Sequence, residues 1–146
     1  MTFETHLKVG EKAEFSKTIG ETDIAMFSGM TGDFDPIHVN EHYARTTMFE
    51  KRIAHGCLVM GLLSTTASMM SRRSVERGAK GVPVSLGYDK IRFLKPVFID
   101  DTLTARYTVE EIDPEQARNR SKVEVVKQDG ETCLVGTHIM KWVPRA

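Results

Sequence analysis

Asp33 and His38 stand five residues apart in Gly32-Asp33-Phe34-Asp35-Pro36-Ile37-His38, and Ile53-Ala54-His55-Gly56 follows. A turn through Asp35-Pro36 can aim a carboxylate and an imidazole at one point. Histidine is a general base near neutral pH, and a carboxylic acid can donate or take the matching proton. Two such groups can hold one water between them. Gly56 stands where a long apolar segment begins, and no side chain shields its N–H. The first N–H groups of a helix carry partial positive charge, so this one can stabilise an oxyanion. Acid, base, held water and oxyanion donor are the parts needed to add water across a conjugated thioester, or to remove it.

Those groups need elements to carry them. Ala13, Phe15, Lys17 and Ile19 alternate with polar residues, the pattern of a short first strand. Thr22-Asp23 opens a helix with Ile24, Phe27 and Met30 on one face, weakened by Gly29 and ended by Gly32. Asp33 to His38 is expected to be a loop. Asn40 is a candidate N-cap for a short helix through Tyr43 and Ala44. After Gly56, Leu58, Val59, Leu62, Leu63, Thr66, Met69 and Met70 recur at helical spacing. Met60 and Ala67 make other sides apolar as well, which predicts a helix buried on most of its surface and stopping near Gly78.

The second half changes to period two. Val84, Leu86 and Tyr88 alternate, then Ile91 and Phe93; the odd step between them predicts a bulge near Asp89-Lys90. Leu103 to Val109 alternates cleanly, and Val123 and Val125 start another strand. Asp129-Gly130 is a hairpin turn. Thr132 to Val143 has apolar residues on both parities, which predicts a strand covered on both faces or an interface on one. The order implies a single α+β domain over 1–146, an antiparallel sheet around one long buried helix.

The resemblance is specific. Asp-Phe-Asp-Pro-Ile-His at 33–38 and Phe-Glu-Lys-Arg-Ile-Ala-His-Gly at 49–56 resemble the MaoC-like dehydratases, also called (R)-specific enoyl-CoA hydratases, whose motif runs roughly Asp-x-Asn-Pro-x-His. Phe93-Leu94-Lys95-Pro96-Val97 also matches. The resemblance implies a hot-dog fold working as a homodimer. It implies syn addition of water to a trans-2-enoyl thioester, with Asp33 and His38 as catalytic pair and the Gly56 amide as oxyanion donor. Ser64 matches a family serine that supports the site. It would sit about two turns, ~12 Å, into the helix and touch the loop from the side. Asp35 replaces the family's Asn. Ionised beside Asp33, it would disfavour a second negative charge and favour Asp33 as the acid; alternatively it caps the turn, the commoner role.

Composition excludes other classes. Hydrophobic residues are 40% and charged residues 27%, so the chain is not of the disordered kind. Twenty Lys and Arg balance twenty Asp and Glu, which argues against nonspecific nucleic-acid binding. Cys57 and Cys133 form no C-x-x-C and fit a reduced, cytoplasmic protein. The first residues lack a secretory pattern. Cys57–Met70, interrupted by Ser64, Thr65, Thr66 and Ser68, falls short of the ~20 apolar residues that span a bilayer. A metal on Asp33, Asp35 and His38 has no visible supporting shell, and neither metal nor cofactor is expected beyond the thioester substrate itself, an acyl group on coenzyme A or on acyl carrier protein. His55 reads as a structural residue at the turn into the helix. His6, His42 and His138 carry no signal, with His138 either facing solvent or satisfied inside. Met48, Met60, Met69 and Met70 read as core fillers that could line an acyl pocket. Arg72-Arg73, Lys80, Arg92 and Lys95 could meet the phosphates of coenzyme A or be solvated surface. Two rivals share the fold: a thioesterase, and a non-catalytic acyl-binding subunit.

Overall fold

A computed structural model of the chain describes residues 2–146. The first strand, β1 (Lys12–Thr18), forms as its alternation predicts, and Lys17 is held by Asp23 at 3.1 Å. Helix α1 (Glu21–Thr31) starts at Gly20, whose N–H donates to Asp23 Oδ2 at 2.8 Å. It runs through Gly29 and stops at Gly32, which takes φ +80° in the left-handed region and donates its N–H to Ser28 O. The inward face differs from the expected one. Ile24 and Ser28 are buried, whereas Met30 is 74% exposed.

Two four-residue helices follow, α2 (Pro36–Val39) and α3 (Glu41–Ala44). The expected loop at 33–38 is therefore corrected: its second half is helical, because Pro36 fits the first helical position and Asp35 caps it. Asn40 caps α3 as expected, accepting from Tyr43 N at 3.0 Å.

Helix α4 (Gly56–Glu76) carries one buried stripe: Val59, Leu62, Leu63, Thr66, Ala67, Met70 and Ser74. The expectation of burial nearly all round does not hold within one chain. Cys57, Gly61, Ser64 and Ser68 face out, a stripe of small residues on the opposite side.

Four strands complete the sheet: β2 (Val82–Phe93), β3 (Thr102–Asp113), β4 (Arg118–Lys127) and β5 (Thr132–Val143). They are antiparallel in the order β1-β3-β4-β5-β2, and α4 packs against all five. The predicted bulge appears between Asp89 and Arg92, with Lys90 at φ +54°; a second lies between Ser85 and Gly87. Leu63 and Met70 pack with Leu103, Tyr107, Val123 and Leu134, all essentially inaccessible. Burying each such side chain contributes about 1.5–3 kcal/mol.

The interior also holds polar groups. On β5, Leu134, His138, Met140 and Trp142 point inward, while Val135 and Ile139 are half-buried on the other face. His138 is satisfied inside, with Nδ1 2.8 Å from Tyr107 Oη and Nε2 2.8 Å from Ser85 Oγ. Burial pushes His138 down to about 4 and Tyr107 up to about 12. β4 begins at Arg118, earlier than the Val123 start expected, because Asn119 and Ser121 take inward positions that the sequence pattern marks as polar.

Candidate active site

Asp33 follows directly on the Gly32 stop of α1. Its N–H donates to Thr31 Oγ1 at 3.2 Å, and its Oδ1 accepts from Asp35 N at 3.2 Å. Asp35 in turn spends Oδ1 on Ile37 N at 3.1 Å. Asp35 thus takes the capping role of the two weighed for it. The chain is wound so that His38, one turn into α2, comes back beside Asp33.

His38 is held from a second direction by the segment before α4. Its Nδ1 lies 2.7 Å from Ile53 O, and Ile53 N donates to Ile37 O at 3.3 Å. A carbonyl oxygen only accepts, so Nδ1 carries the hydrogen and, in the neutral ring, Nε2 keeps its lone pair. Ala54 N donates to Val97 O at 2.7 Å, tying this segment to the loop before β3. Arg52 closes the arrangement. Its guanidinium meets Glu21 of α1, Glu41 of α3 at 3.0 Å and the His38 carbonyl at 3.5 Å. Paired in this way, Arg52 is raised above its ordinary range and Glu21 is lowered.

His55 is the residue whose part the sequence understated. It is 2% exposed and makes no side-chain cap on α4. Instead Nε2 reaches back to Asp33 O at 3.1 Å and Ser28 Oγ at 3.2 Å. Its ring stacks on that of His38, with centroids 3.8 Å apart and planes 29° apart, and Phe27 packs on it at 4.6 Å. Ser28 carried no signal in the sequence; only the return of α1 over the start of α4 brings it to His55.

These groups open on a cavity of about 460 Å³, within the range of small-molecule sites. Asp33, His38 and Gly56 all line it, and Phe49, Phe93 and Val97 give it apolar walls. Gly56 is the first residue of α4, so its N–H has no acceptor within the helix. A Cβ at Gly56 would lie 2.8 Å from the Phe93 ring, so glycine is what lets the wall approach the helix start. Ser64 is not brought here. It is exposed on α4 and lines a separate hollow with Ser85, Tyr88 and His138. Of the basic candidates, Lys95 lines the main cavity; Arg73 is engaged with Glu11 and Arg72 with Glu76. Met70 is core, Met60 half-buried, and Met48 and Met69 are exposed; none of the four lines this cavity.

Asp33, His38 and His55 place one potential metal-ligand atom each within 4.8 Å of one another. Their commitments argue against a metal. His55 gives Nε2 to Asp33 O, and its remaining Nδ1 is closed to solvent and unpartnered. Of these three, only the Asp33 carboxylate and His38 Nε2 stay open to a ligand, fewer than the three protein ligands of a catalytic zinc site. The same two groups suit a water: one placed about 2.8 Å from both can bridge a gap of this size.

The comparisons with known proteins bear on this geometry. A family model described as "MaoC like domain" matches residues 3–132. The chain belongs to the MaoC-like family. Among MaoC-like relatives, an (R)-specific enoyl-CoA hydratase of Rhodospirillum rubrum is 44% identical over 110 residues, 75% of this chain and 71% of that protein. An (R)-specific enoyl-CoA hydratase of Aeromonas caviae is 30% identical over 135 residues, 92% of this chain and 95% of that one. The solved (R)-hydratase of Aeromonas caviae superposes with a TM-score of 0.80 at 29% identity, covering 94% of this chain and 98% of that one. An (R)-hydratase of Pseudomonas aeruginosa gives 0.81 at 31% identity, covering 99% and 88%. The fold of this MaoC-like chain is the α+β hot-dog, a five-stranded antiparallel sheet wrapped on a central helix.

Proposed function

We propose that the chain is a hydro-lyase that reversibly adds water to a trans-2-enoyl thioester, coenzyme A-linked, to give an (R)-3-hydroxyacyl thioester. The observation that carries this reading is the meeting of Asp33, the free Nε2 side of His38 and the Gly56 N–H on one cavity. His38 takes a proton from water as its oxygen bonds to C3. Negative charge grows on the thioester oxygen, where the Gly56 N–H and the start of α4 oppose it. Asp33 orients the water and manages the proton that reaches C2. Water and substrate alone balance the step: the hydroxyl of water ends on C3 and its remaining hydrogen on C2. Relatives named (R)-specific enoyl-CoA hydratase support the same substrate class and stereochemistry.

The working unit is a homodimer. β2 is an edge strand whose Val82, Val84, Leu86 and Phe93 are 37–55% exposed, and an exposed apolar edge is a ready template for a second copy. Both cysteines are free, which fits the cytoplasm, and among the described residues no helix is long and apolar enough to cross a membrane. Incubation with crotonyl-CoA tests the reading: the enoyl absorbance falls and a 3-hydroxy product appears. Release of free thiol without that product would make the chain a thioesterase, and saturable binding without turnover an acyl-binding subunit.

A further inference from the structure

The buried ring of His55 touches both members of the proposed pair. Nε2 is 3.1 Å from the Asp33 carbonyl, and the ring face lies 3.8 Å from that of His38. We infer that His55 is a positioning residue, held as the Nε2–H tautomer, that fixes the spacing between Asp33 and His38. The tautomer follows from the contacts. Asp33 O can only accept, so Nε2 must donate, with Ser28 Oγ beside it at 3.2 Å. The reverse tautomer would set a lone pair against the carbonyl and bury an N–H at Nδ1, where no acceptor exists among the described residues. The lone pair at Nδ1 is left without a partner.

Three contacts keep the ring from moving. Phe27 and Ser28 of α1 hold one side, and the backbone of His55 enters α4 on the other. Asp33 hangs from the ring by its carbonyl, and His38 rests on its face. His55 lines the cavity beside them, yet its nitrogens are already directed into protein or shut off, so it acts through the pair rather than on the substrate.

The kinetic test rests on the hydration reading; the spectroscopic one does not. Long-range 1H–15N spectra of the wild-type chain report which ring nitrogen bears hydrogen, and a proton on Nε2 of His55 with none on Nδ1 is expected. A proton on Nδ1 overturns the proposal whatever the enzyme's activity. In crotonyl-CoA hydration, His55→Phe keeps the ring stack and loses the N–H. Its kcat falls about 10- to 100-fold with KM within about threefold, as misplacement of reacting groups by an ångström does. His55→Gln, which restores an N–H donor, recovers part of that loss. Kcat of His55→Phe within about twofold of wild type, or a glutamine variant no better than the phenylalanine one, contradicts the proposal. If neither variant folds, the tautomer decides alone. A wild type without hydration activity defeats the hydratase reading and leaves the tautomer result standing.

Discussion

Nδ1 of His38 lies 2.7 Å from the backbone carbonyl of Ile53. That bond leaves Nε2 as the basic nitrogen and points the ring from α2 towards the start of α4. His38→Gln removes the base while His38 sits only half-buried. Turnover is expected to drop at least ~10²-fold, with the thermal midpoint nearly unchanged. Paired kinetics and thermal melts check this; a stable variant with wild-type turnover would remove His38 from the chemistry.

Asp35 stands where the motif that the sequence resembles has Asn, and its carboxylate caps α2 through Ile37 N at 3.1 Å. Asn caps as well as Asp does. Asp35→Asn is therefore expected to keep both stability and turnover. Asp35→Ala loses the cap, about 0.5–2 kcal/mol, and slackens the turn that presents His38. Denaturant melts and kcat on the two variants decide it, and equal behaviour of Asn and Ala would show that the cap does not matter.

At Gly56 an alanine Cβ would lie 2.8 Å from Cε1 and Cζ of Phe93. Phe93 is 55% exposed, so its ring can swing aside, into the cavity mouth. Gly56→Ala is expected to change stability by less than ~1 kcal/mol while kcat/KM falls about tenfold or more. A crystal structure of the variant with a displaced Phe93 ring would show the cause; unchanged kcat/KM would refute it.

His138 gives the molecule a pH-dependent stability far from the site. Burial holds its folded value at about 4 against an ordinary 6.5. Between those values the unfolded chain takes a proton that the folded chain refuses. The contribution is thus complete above about pH 6.5 and is lost as pH falls towards about 4, at most about 3 kcal/mol. Urea melts between pH 7 and 4.5 are expected to lose stability more steeply for wild type than for His138→Gln. Parallel slopes would mean that His138 does not supply the effect.

The sequence showed most of the scaffold and half of the site. Clean alternation in Leu103–Val109 and the Asp129-Gly130 turn mark strands because one face of each is dry. β4 hid its first half, because Asn119 and Ser121 are polar residues pointing into the core. The outward small-residue stripe of α4 was likewise hidden, since Gly61, Ser64 and Ser68 look neither apolar nor charged. Asp33, His38 and Gly56 were legible as a compound motif. Ser28, Arg52 and the full part of His55 were not. Their contacts span 11 to 31 residues of sequence, and only the packing of α1, α2 and α3 around the start of α4 creates them.

Hydration of crotonyl-CoA by the wild-type chain, with chiral analysis of the product, tests the central claim most directly. The proposed reaction predicts (R)-3-hydroxybutyryl-CoA, formed by wild type and lost at least ~10²-fold in Asp33→Asn. Free coenzyme A with no hydroxyacyl product, or an (S) product, would contradict it.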